Sequence, residues 1–127
     1  MKKQITTKDA PGADHILSQA VTSNGFVFVA GQIHNTPDGS MVEGSTKEKV
    51  SRIMQNIQAI LQAASCDLDD IVRMTVYVTD MAQMAELNEV YPTFFNKQYP
   101  AREAVCVKEL PLGATIEMSA TATLNSQ

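Results

Sequence analysis

The chain has 127 residues, of which 44% are hydrophobic and 19% are charged, as expected for one globular domain of roughly 100 to 200 residues. Its formal net charge of -4 argues against the positive face that a phosphate backbone requires. No apolar run approaches the ~20 residues of a transmembrane helix, and residues 1–5 are too polar for a signal peptide. We therefore expect one cytoplasmic domain over residues 1–127 that binds neither nucleic acid nor membranes.

The two cysteines, Cys66 and Cys106, lie far apart and have no CxxC or histidine spacing around them. A structural zinc site needs four ligands, and a disulfide framework needs more cysteines than two. We therefore expect two buried free thiols and no metal site.

The first half of the chain predicts a strand, a loop and a long helix. Residues 25–31 form an apolar run between glycines that is rich in β-branched and aromatic side chains, which favours a strand. Residues 32–44 contain a Pro-Asp-Gly turn and are typical of a loop. Ser45 and Glu48 match a capping box, in which the two side chains satisfy free amides at a helix start. Apolar residues at steps of three and four extend this helix to about residue 64.

The second half of the chain predicts strands around a shorter helix. In a strand over 71–79, one face is predicted to carry Val72, Met74, Val76 and Val78. Asp80 can cap a second helix, which Pro92 should kink because proline has no amide hydrogen. Residues 101–107 and 114–124 are predicted to be the last two strands, the final one with alternating apolar and polar positions.

The element order β-β-loop-α-β-α-β-β predicts an α+β fold with a mixed sheet and two helices. If both helices lie on one face of the sheet, the other face remains partly bare. Association with further copies of the chain is the simplest way to cover that face.

Short segments along nearly the whole chain match one known family in order and spacing. They are Val29-Ala30-Gly31-Gln32-Ile33, Asn56-Ile57-Gln58-Ala59-Ile60-Leu61, Asp69-Asp70-Ile71-Val72, Thr75-Val76-Tyr77-Val78-Thr79-Asp80, Asn88-Glu89-Val90-Tyr91, Phe94-Phe95, Tyr99-Pro100-Ala101-Arg102, Leu110-Pro111 and Ile116-Glu117-Met118. With them the chain resembles the Rid family of reactive intermediate deaminases, also called YjgF or RidA and described as endoribonuclease L-PSP. The resemblance implies a chorismate-mutase-like fold and a homotrimer with three clefts between subunits.

The resemblance also implies an activity and an anchor for its substrate. Characterised Rid proteins hydrolyse 2-imino or 2-enamino acids to 2-keto acids and ammonia, without a metal or an organic cofactor. The family arginine, here Arg102, holds the carboxylate of a small imino or keto acid. The planar guanidinium suits this role because it donates two parallel charge-assisted hydrogen bonds. Without the flanking match, a surface salt bridge would be the simpler explanation of Arg102.

Three further positions match residues around the family's cleft. The backbone amide of Ala104 corresponds to a second donor to the substrate carboxylate. Gly31 corresponds to a position where a backbone carbonyl approaches the substrate nitrogen, and glycine permits that approach. Asn88 matches a position beside the cleft. Gly31 could also be an ordinary glycine at a strand end, and Asn88 could simply brace its helix.

Other positions depart from the family pattern. We place the glutamate that orients the attacking water at Ser119, whose hydroxyl can hold a water but is a poor general base. Glu117 lies on the same face but about 7 Å away along the strand, too far to take over this role unless the substrate is bound differently. Leu17 replaces a tyrosine that lines the pocket. His34 could supply the missing acid or base, although a solvent-facing loop histidine is the simpler interpretation for both His34 and His15.

Three functions therefore remain open at the level of sequence. The first is an imine or enamine deaminase with an altered pocket, and the second is a non-catalytic binder of a keto acid or similar metabolite. The third is the ribonuclease or translation-inhibitor activity ascribed to relatives, which the acidic charge and the lack of a His-His or His-Lys pair make the least supported. The sequence favours the deaminase but does not identify its substrate.

Overall fold

The computed structural model describes residues 1–124, in which six strands form one mixed sheet. The strands are β1 (Lys3–Ile5), β2 (Ala20–Ser23), β3 (Phe26–Ile33), β4 (Ile71–Val78), β5 (Ala101–Cys106) and β6 (Ile116–Thr123). Helix α1 (Thr46–Ala63) follows β3, and helix α2 (Met84–Val90) follows β4. Across the sheet the order is β1-β2-β3-β6-β4-β5, with β4 and β5 parallel and the other neighbours antiparallel. The predicted α+β architecture is confirmed.

Helix α1 begins at the capping box that the sequence predicts. The Ser45 hydroxyl accepts a hydrogen bond from the Glu48 amide at 3.1 Å, and the Glu48 carboxylate accepts one from the Ser45 amide at 2.8 Å. The apolar stripe is buried at Val50, Ile53, Met54, Ile57, Ile60 and Leu61. The helix ends at Ala63, as its apolar period indicates.

The second helical segment changes its winding twice. The Asp80 carboxylate accepts a hydrogen bond from the Ala82 amide at 2.8 Å and caps a 3₁₀ turn that leads into α2. After Val90 the chain tightens into another 3₁₀ turn, Tyr91–Phe94, which contains Pro92. The irregularity predicted at Pro92 is therefore confirmed, and it places the Tyr91 ring at the junction between α2 and the turn.

One face of the sheet is buried beneath both helices. A single hydrophobic cluster contains side chains of α1 and α2 and the inward residues of the strands. In β6 the predicted alternation is confirmed, because Ile116, Met118, Ala120 and Ala122 are buried whereas the intervening residues are half-buried. Glu117 and Ser119 therefore lie on the outer face of the sheet, away from the helices.

Three expectations about the fold are wrong. Three strands, not two, precede α1, because β1 is too short to show an alternating pattern. Val72 is 44% exposed instead of buried, since the pairing of β4 with β6 shifts register between Ile71 and Arg73, and such a bulge changes the face of its residues. Of the two cysteines, Cys66 is buried as expected but Cys106 is exposed in the single chain.

The outer face of the sheet has large apolar side chains at its surface. Phe28 is 45% exposed and Val105 is 42% exposed, which is the partly bare face that the element order predicts. The homotrimer that would cover this face stays a prediction. Along residues 1–124, no helix combines the length and the apolar character needed to cross a membrane.

Candidate active site

A cavity of about 480 Å³ opens beside β3 and β6. Three of the residues predicted to surround a cleft line it together, namely Leu17, Gly31 and Glu117. The remaining wall is largely aliphatic and includes Ile16 and Leu112. Gln32 and Asn35 add polar groups to the wall, and Glu117 is the one charged residue among those lining the cavity in the described chain. Proton transfer by a lining side chain in this space therefore depends on the Glu117 carboxyl group.

Glu117 and Gly31 are in close contact because β3 is irregular at the glycine. The pairing of β3 with β6 shifts register between Val29 and Gln32, so Gly31 lies within a bulge. A Cβ built on Gly31 would lie 3.0 Å from the Glu117 Cδ and would collide with its Oε2. Glycine is therefore required here for close approach to a carboxylate.

The Glu117 carboxyl group is poorly solvated. Within residues 1–124 it has no salt-bridge partner and accepts no hydrogen bond from a side chain or an amide. Burial raises the pKa of this carboxyl above its ordinary value of 4.5, because desolvation disfavours the charged form. A carboxyl with a raised pKa holds a proton more readily than an ordinary glutamate, which suits it to proton transfer.

Ser119 lies outside this cavity. It pairs with Thr75 of β4, and it is absent from the residues that line the cavity in the described chain. Ser119 and Glu117 share the outer face of β6, as the alternation predicts. The carboxylate of Glu117 lies in the cavity beside Gly31 and the hydroxyl of Ser119 does not, so the geometry lends no support to the water-orienting role expected of Ser119.

The other predicted site residues lie towards the β5 edge of the sheet. Arg102 is exposed on β5, and its guanidinium carbon lies 4.8 Å from the centroid of the Tyr91 ring. In the described chain Arg102 forms no salt bridge, so the alternative explanation of this residue is not supported. Asn88 is exposed on α2, and Ala104 is half-buried in β5. As an edge strand, β5 has backbone amides that the sheet leaves unpaired.

Arg102 and Glu117 lie on opposite faces of the sheet. Residues that are directly paired in neighbouring strands share a face. Arg102 pairs with Met74, which is fully buried on the helix side, whereas Glu117 pairs with Tyr77 on the outer side. Strand β4 also separates β5 from β6, which places the two residues' strands about 10 Å apart. One small ligand in a single chain therefore does not reach both residues.

His34 is a structural residue in the single chain. It is 1% exposed, its Nδ1 lies 2.8 Å from the Val42 carbonyl oxygen, and its Nε2 accepts a hydrogen bond from the Thr115 amide at 3.0 Å. Burial lowers its pKa, so the ring is neutral and donates its Nδ1 hydrogen to Val42. The expectation of a solvent-facing loop is wrong for His34, whereas His15 is exposed as expected.

His34 thereby connects the end of β3 to the residue that precedes β6. Thr115 lies two residues before Glu117, so this hydrogen bond helps to fix the position of the start of β6, which forms part of the cavity wall. Both ring nitrogens have partners, so neither is free to exchange a proton with a ligand. Among residues 1–124 no cluster of three metal-ligating side chains occurs.

Two features of this region have no signal in the local sequence pattern. Leu112 projects from a left-handed backbone conformation with φ of 58°, which is uncommon for a residue other than glycine. Tyr91 was predicted only as an apolar helix position and not as the contact of Arg102. Burial raises the pKa of Tyr91 to about 12 although Arg102 opposes this shift, so its hydroxyl stays protonated. These contacts depend on loop geometry and chain crossings that no local pattern encodes.

Comparison with known proteins identifies the family of the chain. Residues 7–124 match the family described as Endoribonuclease L-PSP. The chain belongs to this family. The resemblance to Rid proteins is thus confirmed, and relatives within it include 2-iminobutanoate/2-iminopropanoate deaminase of Rattus norvegicus, which is 38% identical over 123 residues covering 96% of this chain and 90% of that protein.

Two solved structures superpose closely on the chain. The yeast Mmf1 crystal structure has a TM-score of 0.95 and 41% identity, and the match covers 98% of this chain and 100% of that one. E. coli TdcF with bound serine has a TM-score of 0.90 and 35% identity, with coverage of 97% and 99%. Because the name of yeast Mmf1 places that relative in mitochondria, a cytoplasmic location for the present protein stays a prediction.

Proposed function

We propose that this protein hydrolyses 2-imino or 2-enamino acids to 2-keto acids and ammonia. The observation that supports this most is the half-buried Glu117 carboxyl, which faces a largely aliphatic cavity beside the Gly31 bulge and has a raised pKa. Such a carboxyl can carry a proton during the attack of water on a carbon–nitrogen double bond. Relatives named 2-iminobutanoate/2-iminopropanoate deaminase support the same reaction class.

The proposed mechanism assigns one task to each group. Arg102 and the Ala104 amide hold the substrate carboxylate, and the Gly31 carbonyl accepts a hydrogen bond from the substrate nitrogen. Glu117 removes a proton from water as its oxygen bonds to the imine carbon. The same proton is then delivered to the nitrogen, which gives a tetrahedral intermediate with a hydroxyl and an amino group on the former imine carbon. Glu117 next carries the hydroxyl proton to the amino group, so the carbonyl forms as the carbon–nitrogen bond breaks, and ammonia leaves with the 2-keto acid. The reaction consumes one water and needs no redox partner.

We place this reaction in a cleft between two copies of the chain. Arg102 and Glu117 lie on opposite faces of one sheet, so a complete site takes each residue from a different subunit. The exposed apolar side chains on the outer face, among them Phe28 and Val105, supply a surface that association would bury. A homotrimer, as the Rid resemblance implies, would form three such clefts.

A second candidate is a non-catalytic binder of small carboxylates. The serine bound in E. coli TdcF favours this possibility, because that ligand carries a carboxylate and undergoes no imine chemistry as it stands. Such a protein would bind 2-ketobutyrate or pyruvate through Arg102 without accelerating any hydrolysis. Ribonuclease activity gains no support from an acidic chain with a net charge of -4.

The reaction is tested with a transient imine generated by an amino-acid oxidase, whose decay is followed with and without the protein. We expect the protein to accelerate that decay. If the imine decays at the buffer rate with several side chains while 2-ketobutyrate still binds, the protein is a binder and the deaminase proposal is overturned.

The shared cleft is tested by co-expressing two variants that are each expected to be inactive, Arg102→Ala and Glu117→Gln. When the two variants assemble at random in equal amounts, about one quarter of all clefts combine an intact arginine with an intact glutamate, so about that fraction of activity should return. The control is the same two variants mixed without subunit exchange, which should stay inactive. Recovery of no activity in verified mixed oligomers would show that both residues act within one chain.

Replacing Gly31 with alanine tests the contact between the bulge and the carboxylate. The added Cβ must displace the end of a flexible side chain, so we expect a change in unfolding free energy within about 1 kcal/mol. Because a displacement of about 1 Å can reduce catalysis about a hundredfold, kcat/KM should fall by one to two orders of magnitude. Steady-state kinetics and thermal denaturation measure the two effects.

A matched control exists at Gly44. A Cβ there would collide in the same way with a glutamate carboxylate, that of Glu48 in the capping box of α1. Gly44→Ala should therefore weaken the cap and leave the kinetics unchanged. Equal losses of activity in the two glycine variants would indicate a general effect on folding and would contradict the proposed contact.

A further inference from the structure

Arg102 has a single specific contact in the described chain. Its guanidinium carbon lies 4.8 Å from the centroid of the Tyr91 ring, and it has no salt bridge. A neighbouring arginine provides a contrast, since Arg73 donates to the Glu103 carboxylate at 2.9 Å. Arg102 and Glu103 are adjacent on β5 but differ in whether they have a partner of opposite charge. Glu103 is neutralised within the chain, whereas the charge of Arg102 has no anionic partner there.

The pairing of β4 with β5 brings Arg102 to the tyrosine. Arg102 is opposite Met74, so its side chain leaves the sheet on the helix side. At the β5 edge that side is closed by the 3₁₀ turn Tyr91–Phe94. The guanidinium therefore meets the ring at the margin of the hydrophobic core, where one side of the arginine is covered and the other is exposed to solvent.

The Tyr91 ring is a rigid platform. It is 5% exposed, and its centroid lies 5.0 Å from that of Phe95, which in turn lies 6.5 Å from the Tyr99 ring. Aromatic pairs at these separations stabilise one another beyond their buried area. The Tyr91 hydroxyl is buried and has no hydrogen-bond partner within the described residues, so the face of the ring, and not the hydroxyl, is what Arg102 contacts.

A contact of this kind orients an arginine without occupying its donors. The attraction is between the cation and the negative face of the ring, and the N–H groups at the edge of the guanidinium remain free for a carboxylate. A long arginine side chain on an edge strand otherwise has many rotamers to lose when a ligand binds. Holding it in advance lowers that entropic cost and strengthens binding.

We infer that Tyr91 is a positioning residue whose ring face holds the Arg102 guanidinium in the orientation that receives the substrate carboxylate. The inference rests on the proposed role of Arg102 and adds a residue that acts through it. Tyr91 itself touches neither the reacting carbon nor the nitrogen. Its loss should therefore raise KM, and the Kd for a 2-keto acid, while kcat changes little.

The experiment replaces Tyr91 with phenylalanine and then with phenylalanines that carry one, two and three ring fluorines. Fluorine withdraws charge from the ring face with little change in shape, so folding is preserved across the series. Tyr91→Phe should bind 2-ketobutyrate about as well as the parent because the ring face is retained. Progressive fluorination should then raise the Kd and KM stepwise, by about two- to fivefold overall, as expected for loss of an exposed cation–π contact.

Phe95 provides the matched control. It lies in the same aromatic group and is similarly buried, but Arg102 does not lie over its ring. The same fluorinated residues at position 95 should leave the Kd unchanged. Thermal denaturation of every variant separates a loss of folding from a loss of binding.

Two outcomes distinguish failure of this inference from failure of the proposed function. If Arg102→Ala binds 2-ketobutyrate as tightly as the parent, the carboxylate anchor itself is absent and both proposals fall. If Arg102→Ala abolishes binding but fluorination at position 91 leaves the Kd flat, the anchor stands and the role of Tyr91 is overturned. A Kd that rises equally for fluorination at positions 91 and 95 would point to general packing and would also overturn it.

Discussion

Substitution of Arg102 by alanine is expected to lower kcat/KM by about two to four orders of magnitude. A hydrogen bond to a charged group contributes about 1.5–3 kcal/mol, and a guanidinium donates two to one carboxylate. Both are lost in the alanine variant, and the substrate carboxylate is then desolvated without compensation. Isothermal titration with 2-ketobutyrate and steady-state kinetics with an imine measure this loss.

Arg102→Lys separates the charge from its geometry. Lysine keeps the positive charge but has no planar fork, so kcat/KM should lie between the values of the parent and of Arg102→Ala. The matched control is Arg73→Ala on the adjacent strand, which removes an arginine that is exposed and paired with Glu103. Loss of that surface salt bridge should change stability by less than about 1 kcal/mol and leave binding intact. Equal loss of binding in both arginine variants would contradict a specific anchor.

The stability of the protein should hardly depend on Arg102. The residue is exposed, and its one contact is with a ring that remains packed against Phe95 when the guanidinium is removed. Exposed cation–π contacts contribute about 0.5–1 kcal/mol. A normal melting temperature with abolished binding would therefore locate the effect in recognition and not in folding.

The parts of the fold that local chemistry determines could be predicted from the sequence. The Ser45 capping box, the apolar stripe of α1 and the alternation in β6 each depend on residues within one helical turn or one strand. The two bulges could not be predicted in this way. The register shift at Ile71–Arg73 and that between Val29 and Gln32 depend on the partner strand β6, which is remote in sequence.

Long-range contacts also explain the errors in the site. The hydrogen bond from the Thr115 amide to His34 joins residues 81 positions apart. His34 is therefore buried in the fold, although its local sequence is typical of an exposed loop. The alternating pattern of β6 could place Glu117 and Ser119 on one face but could not show which of them lies against β3. The bulge at Gly31 brings the glycine against Glu117.

A site divided between subunits would make the activity depend on assembly of the oligomer. In the proposed mechanism Glu117 and Gly31 form one half, and Arg102 forms the other on the opposite side of the sheet. A monomer with a normal fold would hold both halves and complete neither cleft. Activity should then depend on protein concentration in the range where the oligomer dissociates.

Glu117→Gln is expected to reduce kcat by about two to four orders of magnitude, the usual contribution of general acid–base catalysis. Glutamine keeps the size of the side chain but cannot exchange the proton, so binding of 2-ketobutyrate should persist. The parent's kcat/KM should decline on the acidic side at a pH above 4.5, because burial raises the pKa of Glu117. Kinetics across pH and ligand titration check these expectations.

The raised pKa of Glu117 also determines the direction in which the free energy of unfolding changes with pH. Since its folded-state pKa is raised, Glu117 holds its proton more tightly in the native chain than in the unfolded one. Its stabilising contribution is complete below pH 4.5 and is lost as the pH rises through the raised pKa. Glu117→Gln removes this term, so the variant should gain stability relative to the parent as the pH rises towards neutrality.

Ser119 supplies the decisive control for Glu117. It shares the outer face of β6 but lies outside the cavity, so Ser119→Ala should keep kcat within a few-fold of the parent. Ser119→Glu should bring no large gain in rate, because a carboxyl already lies beside Gly31. A large gain from Ser119→Glu, or a large loss from Ser119→Ala with Glu117→Gln still active, would place the proton carrier at Ser119 after all. Glu117 and Ser119 are two residues apart on the same face of β6. These variants therefore show which of the two side chains carries the proton.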